Sequence, residues 1–196
     1  MAITIDGSGT ITGISSVDLP DNTVQTADIA DDAITTAKLP TGCILQVKQT
    51  AKTDTASHTS SGGSFSSDVM TVTITPSHAD NKILITGLVH LGSATGQRCG
   101  IRLSNGGSVI TGAVAATASA RNLASSAAAP AGNDNSCVPL HFQYLHSPGS
   151  TAEQTYGIQI SVEGNQTVYL NRSSADTDNN TIYRTASFLT VMEVAG

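Results

Sequence analysis

The chain has 196 residues, of which 12% are charged and 4% aromatic; it holds no tryptophan and carries a formal net charge of −6. This length suits one domain with a small appendage, and the absence of any Lys or Arg run argues against a phosphate-binding surface and so against nucleic acid as a partner. Abundant Thr, Ser, Gly and Val beside few Lys and Glu exclude a helical architecture, because β-branched side chains suit a pleated surface and glycine serves its turns.

The N-terminal MAITIDGSGTITG has neither the basic nor the apolar region of a signal peptide, and no apolar run approaches the length of a bilayer span, so folding in a cytoplasm without membrane insertion is expected. Ile3 and Ile5 alternate with Thr4, Asp6-Gly7-Ser8-Gly9 reads as a turn, and Ile11 resumes the alternation, which predicts a short hairpin. A lone hairpin is marginal in water. It needs sister chains or a docking surface, and Ile3, Ile5, Ile11 and Ile14 are the candidate docking residues of an N-terminal segment, 1–20, that Pro20 closes.

Residues 21–40 form two matching decads, DNTVQTADIA and DDAITTAKLP. Internal periodicity takes precedence over local patterns in reading an architecture. The large apolar residues Val24, Ile29, Ile34 and Leu39 recur every five positions, which suits neither a helix nor a sustained strand. Thr26 could cap a short Ala-rich helix, but the five-residue spacing favours short turns or strand fragments. With two large apolar side chains in ten residues, one copy buries too little to offset ordering its backbone. The expectation is an intertwined trimeric shaft over 21–42, with those four residues at its axis.

From residue 43 strand patterns take over, with nine candidates at about 43–50, 66–75, 82–91, 98–104, 108–115, 138–146, 155–163, 166–172 and 181–194. Val138, Leu140, Phe142 and Tyr144 alternate with polar residues, as do Tyr156, Ile158, Ile160 and Val162, the signature of half-buried antiparallel strands. Ile83-Leu84-Ile85 and Leu88-Val89 leave no polar face, which places that strand mid-sheet with its outer side also covered. Strands without intervening helices predict a jelly-roll-like β-sandwich knob over 43–196. Two long connections, 51–65 and 116–137, are rich in small residues, and long loops of this kind tend to carry function. Cys43, Cys99 and Cys137, odd in number and widely spaced, read as free and mostly buried thiols.

The succession DGSGTITGI, ADIADDAITTAKLPTG, CILQVKQT, TITPSHADNKILI and a closing SFLTVMEVAG resembles tail-fibre and related virion proteins of marine bacteriophages, cyanophages among them, over nearly the whole chain. That resemblance implies a homotrimer, a place on the virion and an adhesive role.

Motifs for chemistry are weak. Cys137-x3-His141 would hold two ligands about 13 Å apart on a straight strand, and the oxygen-rich stretches around Asp134 and Asp176 do not match a calcium loop. Glu153 and Glu163 are the carboxylate pair to consider for glycoside cleavage, and no Gly-x-Ser-x-Gly elbow occurs. No enzyme activity, cofactor or metal is expected. His141 and His146 read as surface or interface residues. If the knob strands alternate in direction, the connections 51–65, 92–97 and 116–137 share the end away from the shaft; His58, Arg121, Asn122, Asn133, Asp134 and Asn135 are then the receptor-contact candidates. The combined expectation is a homotrimeric phage fibre, assembled in the host cytoplasm, held to other virion proteins by its N-terminus and touching a host glycan or protein through the knob. A head-fibre or capsid decoration protein with a mainly structural role is the alternative.

Overall fold

A computed structural model describes residues 4–5, 11–12, 27, 29–30, 33–35 and 38–40, and residues 41–196 apart from 95, 118 and 131–133. The chain divides into two compact units, Met1–Leu39 and Pro40–Gly196.

In the first unit, β1 (Thr4–Ile5) pairs antiparallel with β2 (Ile11–Thr12), Thr4 opposite Thr12 and Ile5 opposite Ile11. The expected hairpin therefore exists at the level of its backbone, while Ile3 and Ile14 lie outside the described residues. Among the described residues around the second decad, Ala33 N–H donates to the Ala30 carbonyl at 3.0 Å and Lys38 N–H to the Thr35 carbonyl at 2.9 Å. Lys38 Nζ reaches back to the Ala33 carbonyl at 2.8 Å. Ile29, Ile34 and Leu39 are all exposed in the single chain; Val24 is outside the described residues.

The second unit is an antiparallel β-sandwich. Its first sheet is built on β6 (Lys82–Gly92), the strand predicted to lie mid-sheet. One edge of β6 pairs with β13 (Ser187–Val194) and, beyond it, with β12 (Thr167–Leu170); the other edge pairs with β10 (Val138–His146). Beyond β13 lies β3 (Ile44–Lys52), and beyond β12 lies β4 (Ala56–Thr59). The second sheet runs β5 (Met70–Ile74), β11 (Gln154–Val162), β7 (Cys99–Asn105), whose free edge takes β8 (Ser108–Val109) at one end and β9 (Ser126–Ala128) at the other. Between the sheets Ile85, Val89, Leu91, Ile101, Ile158, Ile160, Leu189 and Val191 are essentially inaccessible. Burial of this kind, at about 25 cal/mol per Å² of apolar surface, is what holds the sheets together.

Five sequence expectations need correction. The strand expected over 108–115 stops at Val109 because a 3₁₀ turn, Thr111–Ala113, follows at once. The strand expected over 181–194 begins only at Ser187. Both long connections contain strands, β4 and β9, whose Ala, Ser and Thr give no alternating apolar signal. Of the three free cysteines only Cys99 is buried, and burial pushes its thiol up to about 11. His146, read as a surface residue, is half-buried against Tyr156, whose hydroxyl lies 2.9 Å from Nδ1.

Strand directions give the sandwich two distinct ends. Pro40, the 75–81 connection, the Gly106-Gly107 turn and the C-terminus share one, here the proximal end. The 60–69, 93–98, 129–137 and 163–166 connections share the other. At the proximal end Glu193, 1% exposed, accepts hydrogen bonds from Ser77 N–H (2.6 Å), Ser77 Oγ (2.8 Å), Asn81 Nδ2 (2.6 Å) and Gln46 Nε2 (2.6 Å). A buried carboxylate without a cation persists only because four donors replace its water.

Candidate functional site

Along β7, Cys99, Ile101 and Leu103 point into the core, so Gly100, Arg102 and Ser104 face outward. The β7–β11 register sets Arg102 opposite Gln159 and Ser104 opposite Gly157. In sequence this outer row reads as solvent-facing, yet Gln159 and Ser161 are 3% and 4% exposed. Two segments cover them. One is 61–68, which runs beside the distal half of β11, with Ser66 N–H donating to Ile160 O at 2.9 Å and Val69 N–H to Ile158 O at 2.8 Å. The other is 110–125, which follows the free edge of β7 and returns to it where Ser125 N–H meets Ile101 O at 2.8 Å.

The covers meet at Gly63. Its carbonyl accepts from Ser161 Oγ at 2.7 Å and from Asn122 Nδ2 at 2.9 Å, which ties the sheet to both segments at one atom. Its φ of 82° is left-handed, which favours glycine, and a Cβ there would displace the Asn122 amide.

Beneath this junction Arg102 is held by two side chains, Gln159 and Phe65. Nε donates to Gln159 Oε1 at 2.6 Å, Gln159 is itself fixed by donating to Gly107 O at 2.8 Å, and the guanidinium lies 4.3 Å over the Phe65 ring. Burial lowers the Arg102 pKa from its ordinary value while the charge of Asp68 acts in the opposite direction; an arginine so placed stays cationic. Asp68 is anchored by Ser104 Oγ at 2.6 Å. No ion pair closes between Asp68 and Arg102 among the described residues.

Arg102 opens into a cavity of about 650 Å³ whose walls include Ser64, Phe65, Thr117, Arg121 and Asn122, with Val109 and Val114 among its apolar lining. Phe65 and Asn122 also border a smaller space of about 230 Å³ beside the Arg98–Glu163 ion pair, closed at 2.8 Å. A third hollow, of about 470 Å³, continues past Thr111 and Gly112 to Tyr144 and His146. Burial holds the His146 imidazole below its ordinary pKa.

Of the residues singled out in sequence, the fold brings Arg121 and Asn122 into the main cavity. His58 lies on β4 and touches the cover through Ser64 O at 3.1 Å without lining the space. Asp134 and Asn135 form a separate cluster: the Asp134 carbonyl takes Ala175 N–H at 2.9 Å, and Thr177 Oγ1 reaches Asn135 Oδ1 at 3.4 Å. Next to them the Arg184 side chain, bonded to Asp176 at 3.0 and 2.6 Å, holds that carboxyl below its usual range. Asn133 is outside the described residues. The expectation that 116–137 emerges at one end holds only for its later part, because 110–125 travels along the sheet edge before β9. Arg102 and Phe65 escaped the sequence reading. The one signal for Arg102 was a cation among the outward residues of CGIRLSN.

Glu153 and Glu163 flank β11 at opposite ends, about 30 Å apart along a strand of this length, too far to act on one bond. Among the described residues no group of three or more His, Cys, Asp or Glu converges to hold a metal ion. No helix of the described residues is long and apolar enough to cross a membrane. The arrangement offers a walled space with one fixed guanidinium, Arg102, one exposed one, Arg121, amide and hydroxyl groups, and apolar walls.

No family model matches the chain, and no curated protein matches it. Among solved structures it is similar to the infectious bursal disease virus VP2 subviral particle, with a TM-score of 0.39 and 10% identity over 93% of this chain. The chain spans 45% of the length of that viral protein.

Proposed function

We propose that this chain is a bacteriophage virion fibre protein. It is a homotrimer, attached to tail or capsid proteins through the hairpin of residues 1–20, wound along 21–42, and contacting the host cell surface through the distal loops and outer cavity of its sandwich. The observation that carries this reading is the exposure of Ile29, Ile34 and Leu39, at five-residue intervals, in a single chain. Three large aliphatic residues left in water are a cost that sister chains relieve by burying them together.

The outer face of the first sheet supports the same assembly. Register aligns Val47, Met192, Leu84 and Leu145 in one row across β3, β13, β6 and β10. Val47 and Leu145 are exposed and the middle two half-buried, an apolar stripe that suits contact between knobs. We read the winding, in which β5, β6 and β7 and then β10, β11 and β12 change sheets at each step, as a jelly roll, an arrangement used in viral capsid and lectin domains.

Two measurements test the proposal. Light scattering on the purified chain is expected to give three copies per particle in solution. Labelling or reconstruction of the intact virion is expected to place those trimers projecting from tail or head with residues 1–20 at the particle. A monomer with no virion location overturns the reading, and trimers lying flat on the capsid without effect on adsorption turn it into a decoration protein.

A further inference from the structure

We propose that the cavity walled by Phe65, Arg102 and Arg121 binds an acidic saccharide, a sugar unit carrying a carboxylate or a sulfate. The inference rests on the adhesion reading only for the place where such a sugar is met; the site itself is argued from geometry.

Two guanidinium groups open into one space in a protein whose formal net charge is −6, with nine Lys and Arg in all. Such a pair on an acidic background is a local inversion of sign. Arg102 is preorganised: Nε is occupied by Gln159, and the guanidinium rests over the Phe65 ring. Its terminal amino groups have no hydrogen-bond or ion-pair partner among the described residues. A guanidinium with one edge fixed and the other free is arranged for an oxyanion of matching geometry, since carboxylate and sulfate oxygens accept two parallel N–H bonds. Arg121 is exposed and likewise without a hydrogen-bond or ion-pair partner among the described residues. It supplies a second charge at the rim.

The remaining lining matches a sugar rather than a bare ion. Thr117, Ser64 and Asn122 offer groups for ring hydroxyls, while Val109 and Val114 give apolar surface for the C–H faces of the ring. A volume of about 650 Å³ falls within the roughly 300–1,000 Å³ of small-molecule sites and exceeds what a lone sulfate requires. Asp68 is the opposing charge. Its carboxyl is tied to Ser104 and it does not line the cavity, so it tempers Arg102 without filling the site.

Calorimetry on the full chain with three tetrasaccharides of equal length, one of galacturonate, one of sulfated galactose and one of neutral galactose, tests the site. At least one acidic probe is expected to bind and the neutral one to give no measurable heat. Arg121→Gln, at an exposed position, is expected to weaken the acidic probe about tenfold, the scale of one lost charge-assisted hydrogen bond. Arg102→Lys is expected to weaken it by a similar factor by losing the fork while keeping the charge, and Arg98→Gln, which does not line the main cavity, to leave it unchanged. Equal binding of neutral and acidic probes, binding of none, or wild-type affinity in both Arg121→Gln and Arg102→Lys overturns the proposal. The two arms decide between carboxylate and sulfate. If an acidic probe binds as described but does not compete with particle adsorption, the site stands and the adhesion reading fails. If no probe binds while trimers still project from the virion, the site fails and the fibre reading stands.

Discussion

Glu193 shows how a single side chain can set the behaviour of one end of the sandwich. Burial alone would raise its carboxyl, but the hydrogen bonds from Gln46, Asn81 and Ser77 outweigh that effect and hold the pKa below the ordinary glutamate value. Because the folded-state pKa is the lower one, the stabilisation is complete above the unfolded value of about 4.3 and is lost as pH falls through the folded one. Thermal unfolding should therefore be flat in this contribution from neutral pH to about 5 and fall below about 4. Glu193→Gln is expected to cost about 2–4 kcal/mol at neutral pH, since an amide NH₂ would confront donors that need an acceptor. It should also flatten the acid limb in a pH series of melting curves. An unchanged acid limb in Glu193→Gln would show that other carboxylates set it.

Among the elements, β6 carries both faces of the argument. Ile85 is 1% exposed between the sheets, whereas its neighbour Leu84 is half-buried on the outer apolar row. Ile85→Ala should destabilise the sandwich by about 2–5 kcal/mol through lost burial and a cavity, and Leu84→Ala by about 1 kcal/mol or less in an isolated chain. Denaturant unfolding of the pair reads this difference directly, and equal losses would mean that the outer row is as closely packed as the core. β6, β10 and β11 were legible in sequence because eight or more residues of apolar pattern leave little choice of face. β4 and β9 were not: ASHT and SAA owe their strand conformation to the edges of β12 and β7, which lie more than 100 and 20 residues away in the chain. Arg102 was hidden for a related reason. Its strand, expected over about 98–104, said nothing of a site there, and only the covers from 61–68 and 110–125 turn the outer face of β7 into a cavity wall.

For the whole molecule, the proposed trimer makes a separable prediction. Ile34 is 56% exposed and belongs to the unit Met1–Leu39, apart from the sandwich. Ile34→Asp is expected to leave the far-ultraviolet dichroism and melting of the sandwich unchanged while sedimentation shifts from trimer to monomer. A trimer of normal stoichiometry in this variant would place assembly elsewhere, with the outer row of the first sheet the next surface to probe. If the proposed trimer forms, modest affinity at each site suffices, because three copies per fibre would supply avidity.

The sequence by itself determined the β class, the hairpin pairing at the N-terminus, the break in character at residues 40–42 and the faces of the long strands. All of these follow from local periodicity and turn chemistry, which are properties of neighbours in the chain. The tertiary structure alone decided the sheet order, the two short strands in the connections, the burial of Gln159 and Ser161, and the meeting of Phe65, Arg102 and Arg121 around one space. These depend on which distant segments lie side by side, and the backbone carbonyl of Gly63, which joins three of them, carries no side-chain signal at all.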